Sequence, residues 1–210
     1  MSAIIDNLNI ASNEALITPG QLKTELPLEG IALDSVQLAR QTIFSILNRT
    51  DPRLFVVCSP VAEITPDIET LAADMLETMY DAPGRGLAAP QVGVLKRLFV
   101  MDVDWKDGAR NPVVMINPQI LWRAEETAVG EEGCLSIPGV STEVSRPTRV
   151  HVRWLDAERQ PCEQEFDGFA ARCIQHEYDH LDGRVTFDHL SPQARAAADA
   201  QYQPDEDTRS

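Results

Sequence analysis

Residues 167 to 183 read Asp167-Gly168-Phe169-Ala170-Ala171-Arg172-Cys173-Ile174-Gln175-His176-Glu177-Tyr178-Asp179-His180-Leu181-Asp182-Gly183, and this stretch decides both the fold and the chemistry. Ala170, Ile174, Tyr178 and Leu181 recur at spacings of three and four, which predicts a helix from Phe169 to Leu181 with Gly183 as its stop. Within it, His176-Glu177-Tyr178-Asp179-His180 matches H-E-x-x-H. Four residues is slightly more than one helical turn, so both imidazoles leave the same face and can close on a single cation. Glu177 beside them can reach a water activated by that cation, the arrangement of a divalent-metal hydrolase.

Two imidazoles need a third ligand. Zinc peptidases that extend the motif supply a later histidine or glutamate, but here the histidine position is Thr186 and the only later glutamate is Glu206 in the polar tail. Cys173 lies one turn upstream of His176, roughly a further 5 Å along the axis from a metal held between His176 and His180, and reads as a small packed residue. Cys134 is the better ligand. It sits in the glycine-flanked Glu131-Glu132-Gly133-Cys134-Leu135-Ser136, before the breaker Pro138, and a thiolate there needs an electrophilic partner at neutral pH. Cys134, His176, His180 and a water make a four-coordinate site with one open position.

Outward from this centre, Thr65-Pro66-Asp67 starts a second amphipathic helix, with a hydroxyl N-cap, a proline in the first turn and an acid against the dipole. Its stripe is Ile68, Leu71, Ala72, Met75, Leu76 and Met79, and it stops at Asp81-Ala82-Pro83-Gly84. Leu98 to Met101 and Val113 to Ile116 read as short buried strands, the second closed by Asn117-Pro118. Val150, Val152 and Trp154 alternate with charged neighbours and pair, through a turn at Asp156 to Arg159, with Cys162 to Phe166 in a hairpin. Strands clustered between two helices, without an internal repeat, predict an α+β domain of small antiparallel sheets around the helix that bears H-E-x-x-H.

Residues 1–42 read as a polar, acidic extension, partly helical or mobile, with a weak helical pattern through Val36, Ala39, Ile43 and Leu47. Residues 43–190 form the catalytic domain, and residues 191–210 an Ala-rich stub with an acidic tail. The chain of 210 residues carries 18 basic and 33 acidic side chains, a formal charge of -15, so direct nucleic-acid binding is not expected. Four cysteines without a C-x-x-C pair argue for reduced thiols. No apolar run approaches the ~18 residues of a membrane span, and no secretory or transit signal is visible. The expected compartment is the cytoplasm.

Three segments coincide with one family. Gly84-Arg85-Gly86-Leu87-Ala88-Ala89-Pro90-Gln91, Glu132-Gly133-Cys134-Leu135-Ser136 and Gln175-His176-Glu177-Tyr178-Asp179-His180 resemble, in order and spacing, the signature motifs of peptide deformylases. The similarity runs from about Ile43 through Leu190. It implies hydrolysis of the formyl group from the N-terminal methionine of newly made polypeptides, with N-formyl-methionyl peptides or nascent chains as partners. It also implies Cys134, His176 and His180 as metal ligands, Glu177 as base, and the Gln91 amide and Leu135 N–H as oxyanion donors. Gly86 would pair with the substrate main chain. Fe(II) is the expected ion, with Zn(II) or Ni(II) able to use the same ligands.

Arg85 stands where the family usually has a small aliphatic residue beside the methionine side chain, and Thr186 where a bulky apolar one is common. The Arg85 head is expected to snorkel to solvent over the pocket mouth or to meet a carboxylate. Pointed inward, it would make the pocket smaller and polar. A shifted side-chain preference and an inactive formyl-peptide-binding protein are the alternative readings of function.

Overall fold

Helix α2 (Gly168–Leu181) forms over the expected residues and stops at Asp182, followed by Gly183 in the left-handed region at φ 70°. The structure, a computed structural model, describes residues 42–203. The expectations for residues before 42 and for the acidic Asp205-Glu206-Asp207 lie outside them. Ala171, Ile174 and Leu181 of α2 are fully buried against Phe99, Met115, Val150 and Val152. Ile174 and Leu181 each contribute roughly 1.5–3 kcal/mol of burial.

Those partners belong to a five-stranded antiparallel sheet of β1 (Gly86–Ala88), β2 (Leu98–Met101), β3 (Val113–Arg123), β6 (Arg149–Leu155) and β7 (Pro161–Asp167), in the order β1-β2-β3-β6-β7. Helix α1 (Pro66–Asp81) covers a second part of the core, where Met75 and Met79 meet Leu87, Leu98, Val100 and Ile116. Its start is where Pro66 predicts it, but the Thr65 hydroxyl makes no cap hydrogen bond.

Three features depart from the sequence reading. Asn117-Pro118 does not close β3: the strand bulges there, with Asn117 at φ 51°, and runs on to Arg123. Asn117 suits the left-handed conformation, and its side chain stitches the bulge to Val61, accepting from the Val61 N–H at 2.8 Å and donating to the Val61 carbonyl at 2.8 Å.

Residues 42–48 are not helical. Their backbone donors go instead to α1 and the first motif, Thr42 N–H to Asp74, Phe44 N–H to Thr78 Oγ1 and Leu47 N–H to the Gln91 carbonyl.

A two-stranded sheet of β4 (Thr127–Cys134) and β5 (Ile137–Pro147) fills the region of the glycine-flanked stretch, where the sequence reading places no strand. Gly130, Gly133, Pro138 and Gly139 hide its period-two pattern, which survives in the buried Val140, Thr142, Val144 and Arg146. The Ala-rich stub is helix α3 (Pro192–Gln201), capped by Ser191, which buries Ala198 beside Tyr202.

Candidate metal centre

Cys134 ends β4, and Leu135-Ser136 turns the chain tightly into β5. Strand periodicity puts Glu132 and Cys134 on the buried face of β4 while Glu131 and Gly133 face out. That face meets the face of α2 that carries His176 and His180. The donor atoms of Cys134, His176 and His180 lie within 4.8 Å of one another, and Cys134 Sγ is 3.3 Å from His180 Nε2.

Glu132 organises the second motif around His176. Its Oε2 lies 3.1 Å from His176 Nδ1, which leaves Nε2 of that ring for the cation. Arg146 Nε and Nη2 donate to the two Glu132 oxygens at 2.7 and 2.9 Å, and Arg172 Nη1 adds a third bond at 2.7 Å. Burial opposes the charge of Glu132, yet Arg146 and His176 hold its carboxyl well below the usual carboxylate range. Arg146 also donates to Asp179 at 2.7 Å, and Asp179 is paired with His189 at 2.6 Å. The supporting role of Glu132, Arg146 and Asp179 was not read from the sequence. The offset of two between Glu132 and Cys134 on one strand was the available signal.

Burial pushes the Cys134 thiol up, but His180 and His176 outweigh it and bring it down to about 5, which favours the thiolate form that binds metal. Glu177 is 4% exposed, its Oε2 is buried without a hydrogen-bond partner among the described residues, and burial raises its carboxyl to about 7 against the pull of the two histidines. One thiolate, two imidazoles and a free carboxylate beside them fit a single four-coordinate divalent ion with an open position. Cys173 is outside this group: its Sγ is buried and points to the Arg85 carbonyl at 3.6 Å.

Gln91 sits on the short helical turn Ala89–Val92. Its Oε1 accepts from Ala88 N–H at 2.8 Å, which turns Nε2 toward Ser136 Oγ at 3.1 Å and Cys134 Sγ at 3.7 Å. Gly86 lies on β1, which among the described residues pairs only with β2 and so presents a free edge. Gly86, Gln91, Leu135, Phe169 and Glu177 all line one cleft of about 560 Å³.

Arg85 lines that cleft as well, and its head meets a carboxylate instead of snorkelling free. Nη1 donates to the Val103 carbonyl, Nη2 to Asp107 at 3.0 Å, and the guanidinium lies 5.5 Å from the Phe169 ring centre. Lys106, on the same loop, stands at the rim. Thr186 is buried in the short turn Thr186–His189.

An α+β frame that brings a thiolate and two imidazoles together beside an unpartnered carboxylate, on the floor of an open cleft, defines a metal-dependent hydrolase. Known proteins narrow the class. The family model for polypeptide deformylase matches residues 43–196. A peptide deformylase of Alkalilimnicola ehrlichii is 56% identical over 149 residues, covering 71% of this chain and 83% of that protein.

Among solved structures, a peptide deformylase from Legionella pneumophila superposes with a TM-score of 0.72 at 41% identity, covering 76% of this chain and 93% of the other. A Met-Ala-Ser-bound peptide deformylase from Acinetobacter baumannii gives 0.67 at 34% identity, over 71% and 99%. The chain belongs to the peptide deformylase family, metal-dependent enzymes that remove the N-formyl group from N-formyl-methionyl peptides.

Proposed function

We propose that Cys134, His176 and His180 hold the metal, that Glu177 is the general base, and that Gln91 and Leu135 stabilise the oxyanion. The observation that carries this reading is the buried, unpartnered Glu177 carboxylate one residue from His176 and facing the cleft. When bound, the ion polarises the formyl oxygen and lowers the pKa of a water. Glu177 takes the proton of the attacking water as the new C–O bond forms, and later delivers it to the leaving amine as the C–N bond breaks, so formate and a free amino terminus result. Gln91 Nε2 and the Leu135 N–H donate to the formyl oxygen as it becomes an oxyanion. The free edge of β1 at Gly86 takes the substrate main chain as an added strand, and the stem of Arg85 lines the cleft beside the first side chain.

The resident ion is Fe(II), with Zn(II) or Ni(II) accepted by the same soft donor set. The substrates are nascent chains in the cytoplasm. Residues 43–190 carry the whole reaction. Release of formate from a formyl-Met tripeptide tests the reading: wild type should release it, and metal-replete Glu177→Ala should be slower by at least roughly a hundredfold. An active Glu177→Ala enzyme would remove Glu177 from the mechanism.

A further inference from the structure

The guanidinium groups of Arg123 and Arg184 make no hydrogen bond or ion pair to any residue among those described, although the Arg184 N–H donates to the Asp179 carbonyl at 2.9 Å. Every other described arginine, from Arg49 to Arg195, has a carboxylate partner. In a chain with 33 acidic and 18 basic side chains, an arginine left without an acid is unexpected. Both unpaired arginines line the same cavity of about 250 Å³, which lies apart from the metal cleft and is bounded by the α2 residues Gln175 and Asp179.

The cavity gathers donors from separate parts of the chain. Arg123 ends β3, Ser145 and Arg146 come from β5, Arg184 follows α2, and His189 comes from the turn after it. The C-terminal turn of α2 attracts a cation and accounts for an arginine at 184. It does not account for the meeting of Arg184 with Arg123 in one hollow. Asp179 is the one carboxylate in the lining, and its charge is already met by Arg146 at 2.7 Å and His189 at 2.6 Å. The two free guanidiniums therefore leave the hollow cationic, with the Ser145 hydroxyl as a further donor.

We propose that this cavity is a second site, and that it binds a phosphate-type oxyanion through Arg123 and Arg184. Guanidinium forks match tetrahedral oxyanions in charge and geometry, and the volume admits such an anion with part of its hydration shell. The site adjoins the metal centre through two side chains: Arg146 in its lining bonds Glu132, which bonds His176. Free phosphate and a phosphate of a nucleic-acid backbone share this chemistry.

The test uses the metal-loaded full chain and inorganic phosphate, followed by calorimetry and by ³¹P line broadening. Saturable binding is expected in wild type. It should weaken at least roughly tenfold in Arg123→Ala/Arg184→Ala, because two charge-assisted donors are lost, and recover in part in Arg123→Lys/Arg184→Lys. Neither guanidinium bonds another described residue and neither arginine lines the catalytic cleft, so fold and formate release should match wild type in both variants. A short single-stranded RNA that displaces phosphate from wild type would name the backbone as the source, and phosphate binding without RNA binding would name the free anion. No saturable phosphate binding, or equal binding in wild type and the alanine double variant, would overturn the proposal.

Discussion

The carboxylate of Glu177 fills the space in which a Cβ on Gly86 would stand. A methyl group built there overlaps Glu177 Oε1 and comes within 2.9 Å of Cys173 Sγ. The glycine of the first motif is thus needed on its inner side, where Glu177 packs against the strand, as well as at its free edge. Gly86→Ala is expected to displace Glu177 and lower kcat by roughly a hundredfold, the cost of misplacing a reacting group by about 1 Å, while metal content stays at the wild-type level. Unchanged kcat in this variant would show that Glu177 tolerates the shift.

Cys134 is the sulfur donor of the group and ends a strand whose neighbours are buried. Cys134→Ala should lose tight metal binding, read as metal content after dialysis against a chelator. Because Cys134 packs with Ile137, Val140 and Phe187, a modest fall in Tm should accompany the loss. A variant that keeps a full complement of metal and full activity would defeat the assignment.

Glu132 accepts hydrogen bonds from two arginines and fixes one histidine, so its removal should act twice. Glu132→Ala leaves Arg146, 5% exposed, without its bidentate partner; Asp179 still pairs with it, so the cost is below the ~3–5 kcal/mol of a buried charge left wholly unpaired. It also frees the His176 ring, and metal affinity should fall about 10- to 100-fold. Chelator competition on the folded variant separates the two effects. An unaltered metal affinity would leave Glu132 with a purely structural role.

Much of this was legible in the sequence because the decisive residues are close together in the chain. His176, Glu177 and His180 need only helical spacing to share a face, and β2, β6 and β7 announce themselves by apolar runs or alternation. The β4–β5 sheet did not, since its glycines and Pro138 interrupt the pattern and its buried face carries Glu132, Thr142 and Arg146. Glu132 and Arg146 read as solvent-facing until their partners, Asp179, Arg172 and His176, are brought in from α2. The course of residues 42–48 was illegible for the same reason: it depends on Asp74 and Thr78 accepting from its backbone.

Helix α3 offers ribosomal RNA no free cation. Its Arg195 pairs with Asp188 at 2.7 Å, and its Asp199 pairs with Arg49. Co-sedimentation with ribosomes should therefore show no salt-sensitive component that depends on residues 191–210. Deleting those residues should instead lower Tm, because Ala198 and Tyr202 pack on the cluster that contains Cys134 and Phe187. Salt-sensitive co-sedimentation abolished by the deletion would show that α3 does dock.

On the proposed reading, Arg85 sets how far the first-side-chain pocket departs from an aliphatic one. Its guanidinium is carried out of the cleft floor by the Val103 carbonyl and by Asp107, and it rests over Phe169. Because Asp107 is 81% exposed, that ion pair adds little stability, and its effect is directional: on the proposed reading it keeps the charged head off the first-side-chain site while the methylenes stay as wall. The charge is also largely spent, so an acid further along the peptide gains little from it. Arg85→Val exchanges one apolar wall for another and should change the ratio of kcat/KM for formyl-Met over formyl-Ala peptides by less than about threefold, well under the ~1–3 kcal/mol that a whole apolar side chain contributes. Asp107→Asn should behave alike, since Val103 still holds the head. A rise of tenfold or more in that ratio for Arg85→Val would mean that the guanidinium reaches into the pocket when substrate is bound, and that the wild-type enzyme accepts smaller first residues.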